Sequence, residues 1–391
     1  MPWKVRNLVE ERIMFVQRAI LEDENFSELC REYGISRPTG YKFLERYLKE
    51  GRQGLCDQSR RPSYHPHRTE EAIEELILGL REKKPTWGPK KLSKRLKTIH
   101  PGVNIPSPST IGAILSRNNV RVDRRKRRRR VVGSGPLGKS VRSNDIWCID
   151  FKGQFRLGNG KYCYPLTVSD HYSRYLLGCE GFESTKLEPV MMAFERIFNQ
   201  QGLPNCIRSD NGTPFASTGL KGWSRLSIWF LRLGIKLERI APGHPEQNGR
   251  HERMHWTLKQ EVTRPAAHGF LQQQERFDEF MEEYNQIRPH EALSMETPAS
   301  VYKKSERLYP KRLDDLEYPT HDVVCKVGNN GEIFYGNRIN FYLSTALAGE
   351  KVGLREIEPR QWLISFMSYD VGMYEESKGK FWVLEPVIGM K

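Results

Sequence analysis

An acid set inside a strand pattern that reads as mostly buried constrains this chain more than any other feature. In Asn144–Phe151 (NDIWCIDF), Ile146, Cys148 and Asp150 alternate with Trp147, Ile149 and Phe151, the period of a strand. A carboxylate buried without a partner is strongly destabilised or stays protonated, so a metal, a basic residue or an open cleft must lie beside Asp150.

Two further acids stand in similar settings. Asp210 follows the apolar pair Cys206 and Ile207 and opens Asp210, Asn211, Gly212, Thr213 and Pro214, where Gly and Pro enforce a turn at a strand end. Glu246 lies after a strand expected over Ile235–Ile240 and just before a helix running through Leu258, with thirty-five residues between it and Asp210. From there Glu246 could face back over the sheet edge. Strand ends commonly hold active sites. Three acids of this kind suit hard divalent cations, magnesium or manganese, which take oxygen ligands and bind phosphate oxygens at the same time. Two such ions about 3.5–4 Å apart serve phosphodiester chemistry. Asp170, also near a strand end, is expected to be a bystander that tolerates Asn.

Charge is divided unevenly along the chain. Residues 1–142 hold 32 Lys and Arg against 16 Asp and Glu, and the remainder 31 against 32. The whole net charge therefore lies at the front, which points to a polyanion and most simply to double-stranded DNA. Helical patterns over Leu8–Leu21, Ser27–Tyr33 and Ser36 to Glu50, broken at Gly34, predict a helix-turn-helix domain over 1–51. In that motif the third helix offers its early residues to base edges. Arg37, Thr39, Lys42 and Arg46 are thus candidate DNA contacts, while Tyr33, Leu44, Tyr47 and Leu48 read as core. A linker over 52–68, with Arg60 and Arg61, suits a phosphate backbone.

A second helix-turn-helix set is expected over 69–120. Thr69 would cap a helix to Lys83, Trp87, Gly88 and Pro89 would introduce one through Ile99, and Ser107 would open a third ending near Asn119. Lys90, Lys94, Ser109, Thr110 and Arg117 are its candidate contacts. The linker over 121–142 contains eight basic residues within Arg121–Arg130, including Arg124, Arg125, Arg127 and Arg128, and reads as a solvated arm until phosphates arrive.

Alternating strand and helix signals then give an α/β core over 143–305. Strands at Ile146–Phe151, Tyr162–Ser169 and Ser173–Glu180 suggest a meander. Thr185 would cap a helix stopped by Gly202, an amphipathic helix would cover about Leu220–Leu233, and a closing helix Gln272–Gln286. After a linker at 306–320, strand patterns near Val323–Val327, Arg338–Leu343, Val352–Ile357, Trp362–Ser368 and Phe381–Val387 favour a small β-barrel over 321–391. Seven cysteines without a CxxC pair read as reduced core residues. The sequence shows neither a signal peptide nor a membrane-spanning run, so a cytoplasmic protein without a membrane partner is expected.

Several of these segments together resemble the DDE transposases of bacterial insertion sequences, whose catalytic core is of the retroviral-integrase, RNase H-like type. The matching residues are Trp147 through Phe151, Ser209 through Gly212, and His244 through Gly249 followed by Glu252 and Arg253. Tyr284, Asn285, Arg288, Pro289 and His290 match as well, then Thr297, Pro298 and Ala299. The resemblance covers about half the chain. It implies that Asp150, Asp210 and Glu246 are the catalytic, metal-binding triad, that Arg253 works near the transferred strand, and that His244 and Asn248 orient the glutamate or touch DNA. It further implies an integrase-type C-terminal domain, an assembly of at least two copies on paired element ends, and no nucleotide cofactor. Retroviral integrase proper fits less well, because the His and Cys spacing of its N-terminal zinc module is missing. Two alternatives stay open: a nuclease of the same fold that cuts without joining, and a transposase-derived DNA-binding regulator.

Overall fold

The computed structural model describes residues 7–21, 24–57, 68–120, 137–241, 244–336 and 339–384. They form two compact units, Met1–Thr69 and Glu70–Lys391.

The first unit is a three-helix assembly of α1 (Leu8–Ile20), α2 (Phe26–Glu32) and α3 (Arg37–Glu50). Asn7, Asn25 and Ser36 each accept a backbone N–H in the first turn of the helix that follows, satisfying donors that a helix start leaves free. Between α2 and α3 the chain reverses at Gly34, whose φ of 64° suits glycine. Gly40 lets α3 pack closely, since a Cβ there would sit 2.8 Å from the Cys30 sulfur and 3.0 Å from the Phe15 ring. Phe15, Val16, Leu29, Cys30 and Leu55 form the core. Leu48 departs from expectation: it is 71% exposed. Gly40, Phe43, Leu44 and Tyr47 already complete the inward stripe of α3, and Leu48 lies one helical step beyond it.

In the second unit α4 (Glu71–Lys83), α5 (Pro89–Ile99) and α6 (Pro108–Arg117) enclose Ile77, Trp87, Leu92, Leu96, Ile111, Ile114 and Leu115. Ser107 caps α6 as expected. Thr69 does not cap α4, which starts after Glu70 with no side-chain cap.

A mixed six-stranded sheet follows. Its strands are β1 (Ile146–Phe151), β2 (Phe155–Arg156), β3 (Tyr162–Asp170), β4 (Leu176–Phe182), β5 (Cys206–Ser209) and β6 (Lys236–Arg239). Their order is β2-β3-β1-β5-β6, with β4 also on β3. β1 runs antiparallel to β3 and parallel to β5, and β5 parallel to β6. The meander and the α/β alternation were expected from the strand and helix signals; the parallel pairing of β1, β5 and β6 is seen only in the structure. Helices α7 (Leu187–Gln201) and α8 (Arg225–Arg232) bury Phe194, Phe198 and Phe230 on the sheet around Trp147 and Ile149. Helices α9 (Gly249–Glu261) and α10 (Phe270–Glu282) pack with Leu176, Cys179 and Cys163. Lys186, not Thr185, occupies the N-cap of α7, and no side chain caps it. The helix expected over Leu220–Leu233 is shorter, because Gly222 at φ 68° and the Ser224 cap restart the chain.

The C-terminal part is a correction. Seven strands, β7 (Val323–Lys326), β8 (Glu332–Tyr335), β9 (Ile339–Tyr342), β10 (Lys351–Glu358), β11 (Gln361–Phe366), β12 (Tyr369–Glu375) and β13 (Lys380–Val383), form an open five-stranded sheet in the order β13-β12-β11-β10-β7 and a separate β8–β9 hairpin. Among the described residues no closed barrel forms. In-out alternation is the same for a closed barrel and for an open sheet covered on one face, so the pattern could not separate them. The cover comes from the core, as Leu220, Trp223, Ile228 and Leu231 share a cluster with Val352, Leu354 and Ile364. All seven cysteines are free, and Cys56 alone among them is exposed. Among the described residues no helix is long and apolar enough to cross a membrane.

Asp170 is a structural lock rather than a bystander. It is 1% exposed and accepts hydrogen bonds from the Asn144 N–H at 2.8 Å, the Ser173 N–H at 2.7 Å and the Ser173 hydroxyl at 2.6 Å. Asn144 in turn receives the Trp147 indole N–H at 3.0 Å, so this cluster fixes where β1 starts. Asp170→Asn turns one acceptor toward donors. A loss of about 1–3 kcal/mol in urea unfolding is expected, and an unchanged midpoint would contradict this role.

Candidate active site

Register brings the first two acids together. Neighbouring β1 and β5 are parallel with Cys148 opposite Arg208, so two residues further on Asp150 and Asp210 leave adjacent strands at the same level. The cross-strand pair of Arg208 with Glu238, at 2.8 Å with Arg208 buried, ties β5 to β6 beneath them. Asp210 is braced by its own turn: its carboxylate accepts the Gly212 N–H at 3.0 Å, and Asn211 donates to the Ile240 carbonyl at 2.9 Å. Gln247 accepts the Ala241 N–H at 2.8 Å, which seats the turn Pro245–Asn248 at the end of β6. Glu246 lies in that turn, and its side chain is outside the described part of the structure. Among the described residues no three metal-ligating side chains converge, so a three-acid site depends on Glu246.

Burial first, and the negative charge of Asp210 second, push the Asp150 carboxyl up to about 7. An acid held so far above its ordinary range by a like-charged neighbour marks a site suited to a cation or a proton. Glu252, on the first turn of α9, adds a smaller push in the same direction. Basic groups border the site. The Lys152 ammonium is lowered by burial and then by repulsion from Lys259, with Arg264 contributing a smaller push in the same sense. A cleft of about 660 Å³ opens beside the Asp210 loop, lined by Thr213, Pro214, Ser217, Arg225, Tyr342 and Ser344.

The candidate DNA contacts divide into four groups. On α3, Arg37 and Lys42 are exposed and Thr39 and Arg46 half-buried. Thr39 shares a 2.8 Å hydrogen bond with Ser36. In the second helical set the side chains are already engaged within the chain. Lys90 faces Glu291 at 3.4 Å, Lys94 faces Glu296 at 2.8 Å and Arg117 meets Glu74 at 2.7 Å, while Ser109 and Thr110 share hydrogen bonds with Ser107. The exposed lysine pairs are worth about 0–1 kcal/mol, so phosphates can displace them, whereas Glu74 is buried and holds Arg117 more firmly. Arg60, Arg61, Arg124, Arg125, Arg127 and Arg128 lie outside the described residues. Arg253 is exposed on α9, away from the inward face of His251, Met254 and His255.

Models described as integrase core domain match residues 140–245 and 233–298, a homeodomain-like domain matches 39–115, and a helix-turn-helix domain matches 11–63. Residues 140–298 thus resemble an integrase core, and residues within 11–115 resemble helix-turn-helix and homeodomain-like domains. The chain is 26% identical, over 63% of its own length and 69% of the other's, to the insertion element IS476 uncharacterized 39.2 kDa protein of Xanthomonas euvesicatoria. It is 27% identical, over 46% of its length and 63% of the other's, to the insertion element IS407 uncharacterized 31.7 kDa protein of Burkholderia multivorans. A solved HTLV-2 integrase catalytic core, in complex with magnesium, is 16% identical with a TM-score of 0.34, covering 42% of this chain and 100% of that one. The match to the integrase core models extends well outside the acids: it runs through Asn285, which is buried and bonds both backbone groups of Leu176, and on to Pro298.

Proposed function

We propose that this protein is a transposase that binds the terminal repeats of an insertion sequence, cleaves at the element end and joins the end to target DNA. The observation that carries this is the pair Asp150 and Asp210 at one level on adjacent parallel strands, with the Asp150 carboxyl held up to about 7 by burial and by Asp210. A hard carboxylate that burial and a like-charged neighbour make costly to ionise fits a divalent cation, and Asp150, Asp210 and Glu246 would hold two magnesium or manganese ions. Such ions, when bound, supply activation of the attacking oxygen and neutralisation of the leaving one.

The chain's own residues do the rest. The Asp210 turn and the Arg208–Glu238 pair hold the second acid against recoil. Lys152, Lys259 and Arg264 attract the phosphate backbone to the border of the site. Helix α3 reads the element end through Arg37, Lys42 and Arg46. Water first attacks the phosphorus at the element end, breaking its bond to the element's 3′-oxygen. The freed 3′-hydroxyl then attacks a target phosphorus in line and the target's own 3′-oxygen leaves, with no covalent protein intermediate. Two ends must be processed together, so at least a dimer assembles on DNA.

The decisive experiment incubates the protein with labelled element ends, target plasmid and magnesium. Cleaved ends joined to plasmid are expected. Cleavage with no joined product would make it a nuclease, and specific binding with neither product a DNA-binding regulator.

A further inference from the structure

Asp150 does not stand alone on its face of the sheet. Thr167 of β3 is its cross-strand partner and Ser169 is that of Cys148, so both hydroxyls share the face of Asp150. Above them lies α9, whose His251 and His255, one turn apart, point inward with ring centroids 4.6 Å apart. Together these side chains form a connected line. The Ser169 hydroxyl is 2.7 Å from His251 Nδ1, His251 Nε2 is 2.8 Å from the Thr167 hydroxyl, that hydroxyl is 2.6 Å from His255 Nε2, and His255 Nδ1 is 3.6 Å from Asp150 Oδ2. All four are buried. In such a place every polar atom needs a partner of the opposite kind.

Proton bookkeeping gives the line a direction. A neutral imidazole has one N–H and one lone pair, a hydroxyl has one proton, and an ionised carboxylate only accepts. Facing Asp150, His255 must carry its proton on Nδ1. Its Nε2 then accepts the Thr167 O–H, the Thr167 oxygen accepts from His251 Nε2–H, and His251 Nδ1 accepts the Ser169 O–H. The competing assignment has Thr167 donating to the Asp150 carbonyl, 3.2 Å away. Both Nε2 atoms would then be donors, and a lone pair on His255 Nδ1 would face the carboxylate. The first assignment leaves no such clash. At 3.6 Å the last step is longer than a hydrogen bond, so His255 acts on Asp150 as an oriented dipole and a steric stop.

We propose that Ser169, His251, Thr167 and His255 form a positioning chain that orients the Asp150 carboxylate for its ligand by presenting His255 Nδ1–H to Oδ2. None of the four touches DNA or the reacting atoms. The inference rests on the reading of Asp150 as a metal ligand. Partners behind a metal ligand commonly change metal affinity by 10–100-fold when removed.

The test has two arms, both on the full chain without DNA. In the first, 15N spectra of histidine-labelled protein should show His255 as the Nδ1–H tautomer and His251 as Nε2–H, and Thr167→Val should disturb both. In the second, manganese binding is measured by calorimetry. His255→Leu and Thr167→Val, each checked for wild-type thermal unfolding, should weaken it by roughly 10–100-fold. His255→Asn, which keeps an N–H near the Nδ1 position, and Thr167→Ser should stay within a few-fold of wild type. The opposite tautomers, or wild-type manganese affinity in both His255→Leu and Thr167→Val while Asp150→Asn loses it, would overturn the chain and leave the active-site reading intact. Unchanged affinity in Asp150→Asn as well would defeat that reading itself.

Discussion

Asp150→Asn, Asp210→Asn and Glu246→Gln should each lower end cleavage and strand transfer by on the order of 10³-fold or more, about 4 kcal/mol of lost transition-state stabilisation. Each change keeps size and polarity and removes one negative charge. If the three acids hold the metals, removing any one of them disables the same step, so the double variant Asp150→Asn with Asp210→Asn should be scarcely worse than either single one. Binding of element ends should stay near wild type, because the helix-turn-helix of residues 1–69 is a compact unit of its own. Glu188→Gln serves as the control: Glu188 is an exposed acid on α7 and should leave strand transfer unchanged. Near-normal strand transfer by Glu246→Gln would remove that residue from the triad.

The parts of this site that were legible in the sequence are those that local pattern controls. A carboxylate in the strand Ile146–Phe151 and a Gly- and Pro-bounded turn at Asp210 are each stated within a few residues, and the register of two parallel strands then brings them level. What stayed hidden depends on contacts between distant segments. Thr167 meets His251 and His255 across separations of 84 and 88 residues, and no local period signals this, although two histidines one turn apart on the inward face of α9 were a visible cue. Lys90 and Lys94 read as DNA contacts because their partners, Glu291 and Glu296, lie 201 and 202 residues away. The C-terminal strands illustrate the same limit. Their alternation was plain, but β8 (Glu332–Tyr335) and β12 (Tyr369–Glu375) were missed, and without them neither pairing order nor closure could be read.

Asp170 shows how residue type alone misleads. At a strand end it resembles Asp150, and burial pushes both carboxyls up, yet the Asp170 oxygens face backbone and hydroxyl donors, while the like charge of Asp210 adds to the push on Asp150. One acid is satisfied by the fold, and the other faces a like-charged neighbour. That contrast supports taking Asp170 as structural and Asp150 as the proposed metal ligand.

The same contrast makes Asp150→Asn stabilising when metal is absent. The Asp150 carboxyl is raised from 3.8 to about 7 in the folded protein, so the folded state binds its proton more tightly than the unfolded chain does. Its favourable contribution is therefore complete below about pH 4 and is lost as pH rises through 7. Above that, the ionised acid opposes folding. At 1.36 kcal/mol per pKa unit the penalty is at most about 4 kcal/mol, and water entering the half-open site reduces it to roughly 2–4 kcal/mol. Asparagine carries no charge to bury. In a chelator at pH 8, Asp150→Asn should unfold at higher urea concentration than wild type, and the gap should close as the pH is lowered from 7 to 4. Saturating manganese should reverse the order, because only the wild-type site gains the ligand's binding free energy. A variant no more stable than wild type at pH 8 without metal, or a gap that ignores pH, would show that Asp150 is not the strained acid that the geometry describes.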